Sequence, residues 1–141
     1  MMKLRALIPF ALLWIVVAVA PAAAQGSAQF KACMRTAKTQ LAMNMCAGNE
    51  AALRAMQMNS IYNKLVSLAA KEPGAAAKVA ASQKAWAAYT DAYVEALYPA
   101  SDKQGMYGSI YPMEVALARS DLIQQHIADL KALVKAYQQR K

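Results

Sequence analysis

Residues 112–138 read PMEVALARSDLIQQHIADLKALVKAYQ. Within them Ile123, Ile127, Leu130, Val134 and Tyr137 recur in steps of three or four. That spacing puts all five on one face of an α-helix, because a turn takes 3.6 residues. Pro112 suits the first turn, where its missing N–H leaves no intrahelical bond unmade. Gln124, Gln125, Asp129, Lys131 and Lys135 fall between the apolar positions. The helix is therefore apolar on one side only and must bury that side against a neighbour.

Working back from this helix, the same period recurs. Val79, Trp86, Tyr89, Tyr93 and Leu97 predict a helix over Ala75–Leu97. Leu53, Met56, Ile61, Leu65 and Leu68 predict another over Asn49–Lys71. An earlier segment, Ser27–Ala47, either runs into that helix or is set off from it at Gly48. Pro73-Gly74 turns the chain between helices, and Tyr98–Tyr111, which holds Pro99, Gly105 and Gly108, reads as a loop. Alanine, the best helix former, supplies 26 of the 117 residues after position 24. Short links favour antiparallel neighbours. The expectation is an all-α fold: one small antiparallel bundle of three long helices with a short N-terminal helical arm, over residues 25–141.

Composition narrows the function classes. The chain has 141 residues with a formal charge of +8, 58% hydrophobic content, five Gly, five Pro, two Cys and one His. It is too apolar for a disordered protein and too poor in cysteine for a disulfide-stapled miniprotein. One histidine and no cysteine cluster exclude a zinc fold.

The first 24 residues carry an address. Lys3 and Arg5 precede an apolar run from Ala6 to Ala20, and Ala22 and Ala24 follow Pro21 as small residues. This three-part pattern predicts a signal peptide over 1–24, cut after Ala24, and a periplasmic or secreted product. No cysteine follows the cut, and no later stretch is apolar and long enough to make a stable transmembrane protein.

Cys33 and Cys46 then lie where disulfides persist. Thirteen residues along one straight helix rise about 20 Å, whereas a disulfide needs Cα atoms within about 7 Å. Either the chain folds back between the cysteines, with Thr36 or Thr39 capping the next helix, or the thiols stay free or pair between molecules.

The stretch Cys33-x5-Thr39-Gln40-x2-Met43-Asn44-x-Cys46 resembles the start of the LprI-like lysozyme inhibitor family. Asn59 and Tyr62 are similar to its Leu-Asn…Tyr element. Gln83, Trp86, Tyr89 and Asp91 match its Gln…Trp…Tyr-Arg-Asp element, and Gly108-Ser109 its Gly-Ser pair. The likeness runs from Cys33 to about Leu130. Four positions depart from the pattern: Thr90 and His126 stand where the family usually has Arg, and Val94 and Ala118 where it has a second pair of cysteines. The resemblance implies a divergent member that keeps the N-terminal bridge alone, and a small exported protein of which one branch binds and inhibits lysozyme.

The residues themselves favour binding over catalysis. His126 stands mid-helix among Gln124, Gln125 and Asp129 and reads as a partly exposed helix histidine, with no nucleophile motif near it. No Gly-rich phosphate loop exists. The expectation is no enzyme and no cofactor. Seven methionines after the leader raise Cu(I) binding as a minor alternative, but Met43/Met45 and Met56/Met58 are spaced i,i+2 and point apart on a helix. Trp86, Tyr89, Tyr93 and Tyr62 read as core packing. Tyr98, Tyr107 and Tyr111 lie instead in the Gly-bearing loop, where aromatic residues either anchor a partner or cap the bundle end. The basic charge points to anionic envelope components, cell-wall polymer or lipid, as the alternative partner, and export argues against nucleic acid. The first expectation remains contact inhibition of lysozyme, with Tyr98, Tyr107 and Tyr111 as the partner-binding residues.

Overall fold

The computed structural model describes residues 26–140; the expected leader over 1–24 lies outside them. Helix α1 covers Ala28–Thr36, α2 Gln40–Ala69, α3 Ala75–Leu97, α4 Lys103–Tyr107 and α5 Tyr111–Gln139, with one 3-10 turn at Gly108–Ile110 before α5. The fold is all-α, as expected: three long helices, α2, α3 and α5, and the short arm α1.

Local chemistry sets the ends. The Ser27 hydroxyl accepts from the Phe30 amide at 3.1 Å and caps α1. The Thr39 hydroxyl accepts from the Ala42 amide at 3.2 Å and caps α2. Each satisfies one of the orphan N–H groups that a first turn leaves. The break in this region thus falls at residues 37–39, between the two cysteines. Gly48 interrupts nothing and lies inside the unbroken α2, since its neighbours supply enough packing to offset a glycine's helix cost of about 1 kcal/mol. Gly74, with φ 74°, makes the left-handed turn into α3. The segment read as a loop is largely helical: the Asp102 carboxylate accepts from the Gly105 amide at 2.8 Å and starts α4.

Chain direction runs up along α2, down α3 and up α5. Successive helices are antiparallel, but the main interface joins α2 to α5, which run parallel. Asn44 meets Ser109 near their starts, Arg54 meets Gln124 further on, and Glu72 meets Arg140 past their ends.

The core lies between these helices. Met58, Leu65 and Ala69 of α2 pack with Ile123, Ile127, Leu130 and Val134 of α5 and with Ala75 and Val79 of α3. The stripe expected on α5 is inside, with Tyr137 packed at its edge. On α2 the inward residue is Met58, whereas Met56 is 69% exposed. On α3 the buried face is Val79, Thr90 and Val94, with Trp86 packed on the core. Tyr89 and Tyr93, expected in the core, are 54% and 39% exposed. One residue's step rotates a helix position by about 100°, so Tyr89 and Tyr93 fall beside the contact face that Thr90 and Val94 occupy.

Candidate functional site

The N-terminal arm is held by two contacts, a disulfide and a hydrogen-bonded carboxylate. Cys33 and Cys46 form a disulfide with Cα atoms 5.7 Å apart, made reachable by the fold-back at 37–39. The Glu50 carboxylate, 3% exposed, accepts from the Ser27 amide at 3.0 Å and from the Ser27 hydroxyl. Arg54 Nε donates to Glu50 at 3.0 Å, and Arg54 Nη1 donates to Gln124 Oε1 across to α5. Burial pushes the Glu50 carboxyl up, but the Ser27 hydroxyl and amide and the Arg54 guanidinium outweigh it, so it stays charged below its ordinary range. No residue of α1 itself is buried. Sequence reasoning missed Glu50, although the Glu50/Arg54 spacing of four was a visible pairing signal.

A second group of family-motif residues meets at the start of α2 and the approach to α5. Beside the Thr39 cap, Gln40 Nε2 donates to Asn44 Oδ1 at 2.8 Å. It also lies 3.9 Å from Met113 Sδ. Asn44 Nδ2 donates to the Ser109 carbonyl at 2.9 Å. Gly108 has φ 70° and ψ −165°. Thr39, Gln40, Asn44, Gly108 and Ser109, separated by some 65 residues, therefore form one junction.

Above this junction sit the three tyrosines expected to bind a partner. Tyr98 stands edge-on to Tyr107 at 5.1 Å and to Tyr111 at 5.2 Å, and Tyr107 stacks on Tyr111 at 5.8 Å. The Tyr107 hydroxyl accepts from the Ala100 amide at 3.2 Å. Lys103 Nζ donates to the Tyr98 carbonyl and to Glu95 at 2.7 Å. Burial, then the charge and hydrogen bond of Glu114, push the Tyr98 hydroxyl above its ordinary range. All three rings are half-buried and rest on one another. Met106, 69% exposed, and Ile110, 39% exposed, stand on the outside of this cluster.

A third group crosses the middle of the bundle. His126 Nε2 and Gln83 Oε1 are 2.9 Å apart, and Gln83 Nε2 approaches Met58 Sδ at 3.8 Å. The His126 ring stacks on Trp86 with centroids 4.2 Å apart and planes 5° apart. His126 is only 8% exposed, not the partly exposed residue expected, because Trp86 from α3 covers it. Burial pushes its pKa down, against a smaller upward pull from Asp129. Thr90 is buried, and its Oγ1 has no hydrogen-bond partner among the described residues. Val94 is buried beside it on the same face.

The remaining motif residues lie apart from these groups. Asp91 pairs with Arg119 at 2.8 Å on the surface, Tyr62 packs on the core, and Asn59 and Tyr89 are exposed. Among the described residues no group of three or more His, Cys, Asp or Glu is placed to hold a metal ion. No helix among them is long and apolar enough to cross a membrane.

A family model described as Lysozyme inhibitor LprI matches residues 32–130. The match takes in both cysteines, the junction, the tyrosine cluster and the His126 stack. No curated protein and no solved structure matches the chain.

Proposed function

The chain belongs to the LprI lysozyme inhibitor family, and we propose that it is an exported binding protein that inhibits lysozyme by contact rather than catalysis. We place the contact on the α3–α5 connection, residues 98–111. The observation that carries this is the tyrosine cluster. Three rings packed edge and face hold α4 in place, so Met106 and Ile110 are presented on a fixed base. A preformed apolar contact loses little conformational entropy on binding. Tyr98, Tyr107 and Tyr111 supply that base and their outer edges supply contact area. The leader pattern over 1–24 and the Cys33–Cys46 bridge support export, since such bonds persist in oxidising compartments.

Charge sets a condition. The chain is formally +8, or +6 once Lys3 and Arg5 leave with the expected leader, and lysozymes are themselves basic. Long-range steering is therefore repulsive, and short-range contact must overcome it. Added salt screens that repulsion.

The test is lysozyme lysis of a cell-wall suspension with the purified protein at low and physiological salt. The expected result is dose-dependent inhibition that is kept or strengthened by salt. Met106→Ala with Ile110→Ala should weaken it about tenfold or more, as for apolar anchors at an interface centre, with the melting temperature unchanged. Absence of inhibition at large molar excess would overturn this function. The net charge would then favour the alternative, salt-sensitive binding to anionic envelope components.

A further inference from the structure

A groove of about 570 Å³ lies between α2 and α5 on a side that α3 does not line. It shares no residue with the 98–111 connection and is independent of the lysozyme reading. Leu53, Met56 and Ile61 give it an apolar strip over the nearly buried Ile127, and Gln57, Ser60 and Gln124 line the rest with polar groups. Its charged lining residues are Arg54 and Lys131; no carboxylate lines it. Arg54 reaches across from α2 to Gln124 of α5 and fixes one end. Lys131 lies seven positions beyond Gln124 on α5, about 10 Å along the helix.

The two cations differ. Arg54 is already shared: Glu50 accepts from its Nε, and its charge also reaches Asp121. Lys131 is exposed and makes no ion pair among the described residues. The groove therefore offers an apolar strip flanked by polar side chains, with an unpaired ammonium at one end. Its volume falls within the range of about 300–1,000 Å³ usual for small-molecule sites. A second copy of the chain would bring like charge against like, at +6 each over residues 25–141.

We propose that this groove binds a long-chain fatty-acid anion. The acyl chain lies over Leu53, Met56 and Ile61, and the carboxylate meets the Lys131 ammonium. Apolar burial supplies the affinity, and the charge pair sets which end of the ligand faces Lys131.

The probe is laurate, titrated calorimetrically into the protein below its micelle concentration. Dodecyltrimethylammonium serves as the cationic control of equal chain length, and butyrate as the carboxylate lacking the chain. Saturable binding of one laurate per protein is expected, with both controls much weaker. Lys131→Glu should weaken laurate about tenfold or more, the scale of a hydrogen bond to a charged group. Met56→Glu, also at an exposed position, should weaken it by placing a like charge beside the chain. No laurate binding, equal binding of the cationic control, or unchanged affinity in Lys131→Glu would each overturn the proposal. Laurate-dependent amide shifts confined to residues 98–111 would overturn it too, by assigning the ligand to the tyrosine end.

Discussion

Gly108 adopts φ 70° and ψ −165°, a region that essentially glycine alone enters. No side chain crowds it, so the constraint is the backbone itself. Gly108→Ala should cost about 1–3 kcal/mol, read as a lower denaturation midpoint with unchanged helix content. His126 makes a prediction about pH. Burial lowers its folded pKa below the ordinary 6.5, so the unfolded chain binds that proton more readily. Its contribution to stability is therefore present above about pH 6.5 and falls as the pH drops through that range. Chemical denaturation between about pH 7.5 and about pH 5.5 should show this decline, and His126→Phe, which keeps an aromatic ring on Trp86, should flatten it. Glu50 acts lower on the scale. Its folded pKa lies below 4.5, so its contribution is present above that value and is lost as the pH falls through the folded value. The two windows separate the two groups. Residues whose role is local were legible in the sequence: Thr39 as a cap needs only the next turn. His126 was not, because its burial depends on Trp86, forty positions away on another helix.

At the level of elements, α1 is attached rather than packed. It buries no residue of its own and depends on the Cys33–Cys46 bridge and on Ser27 meeting Glu50. Replacing both cysteines by serine should cost up to about 3 kcal/mol by the chain-entropy model. Hydrogen exchange should then show α1 amides losing protection while α5 keeps its own. Before that, an intact mass about 2 Da below the reduced form checks the bridge, since closing it removes two hydrogens. The long helices are held differently. Leu65 is fully buried in the core, and Leu65→Ala should cost about 2–5 kcal/mol. Periodicity gave α3, α5 and the inward stripe of α5 correctly, but began α2 at Asn49 where the helix starts at Gln40. It misplaced Tyr89, Tyr93, Leu97 and Met56, because a repeat of three and four identifies a face without saying which neighbour covers it. It also missed α4, whose five residues are too few to show a period.

For the molecule as a whole, the two ends differ. The tyrosine cluster and the α2 junction occupy one end, and Glu72 with Arg140 the other. With α2 30 residues long, these ends are about 45 Å apart at 1.5 Å per residue. Inhibition of lysozyme should therefore survive attachment of the protein to a surface through its C-terminal side, and an immobilised-inhibitor assay checks this. The family was readable from the spacing of the cysteines and of Gln83, Trp86 and Asp91; the cationic groove was not, because Arg54 and Lys131 come to line one groove only once α2 and α5 lie parallel. That parallel pairing also governs how the fold is reached. Arg54 and Gln124 are 70 residues apart in the chain, so the principal interface is non-local, and loop closure over α3 must precede it. A chain emerging from the ribosome has α2 and α3 available early but nothing to complete the core until Ile127, Leu130 and Val134 follow. Until then the α5 side of the buried core is missing, so the last helix is the one that closes the fold.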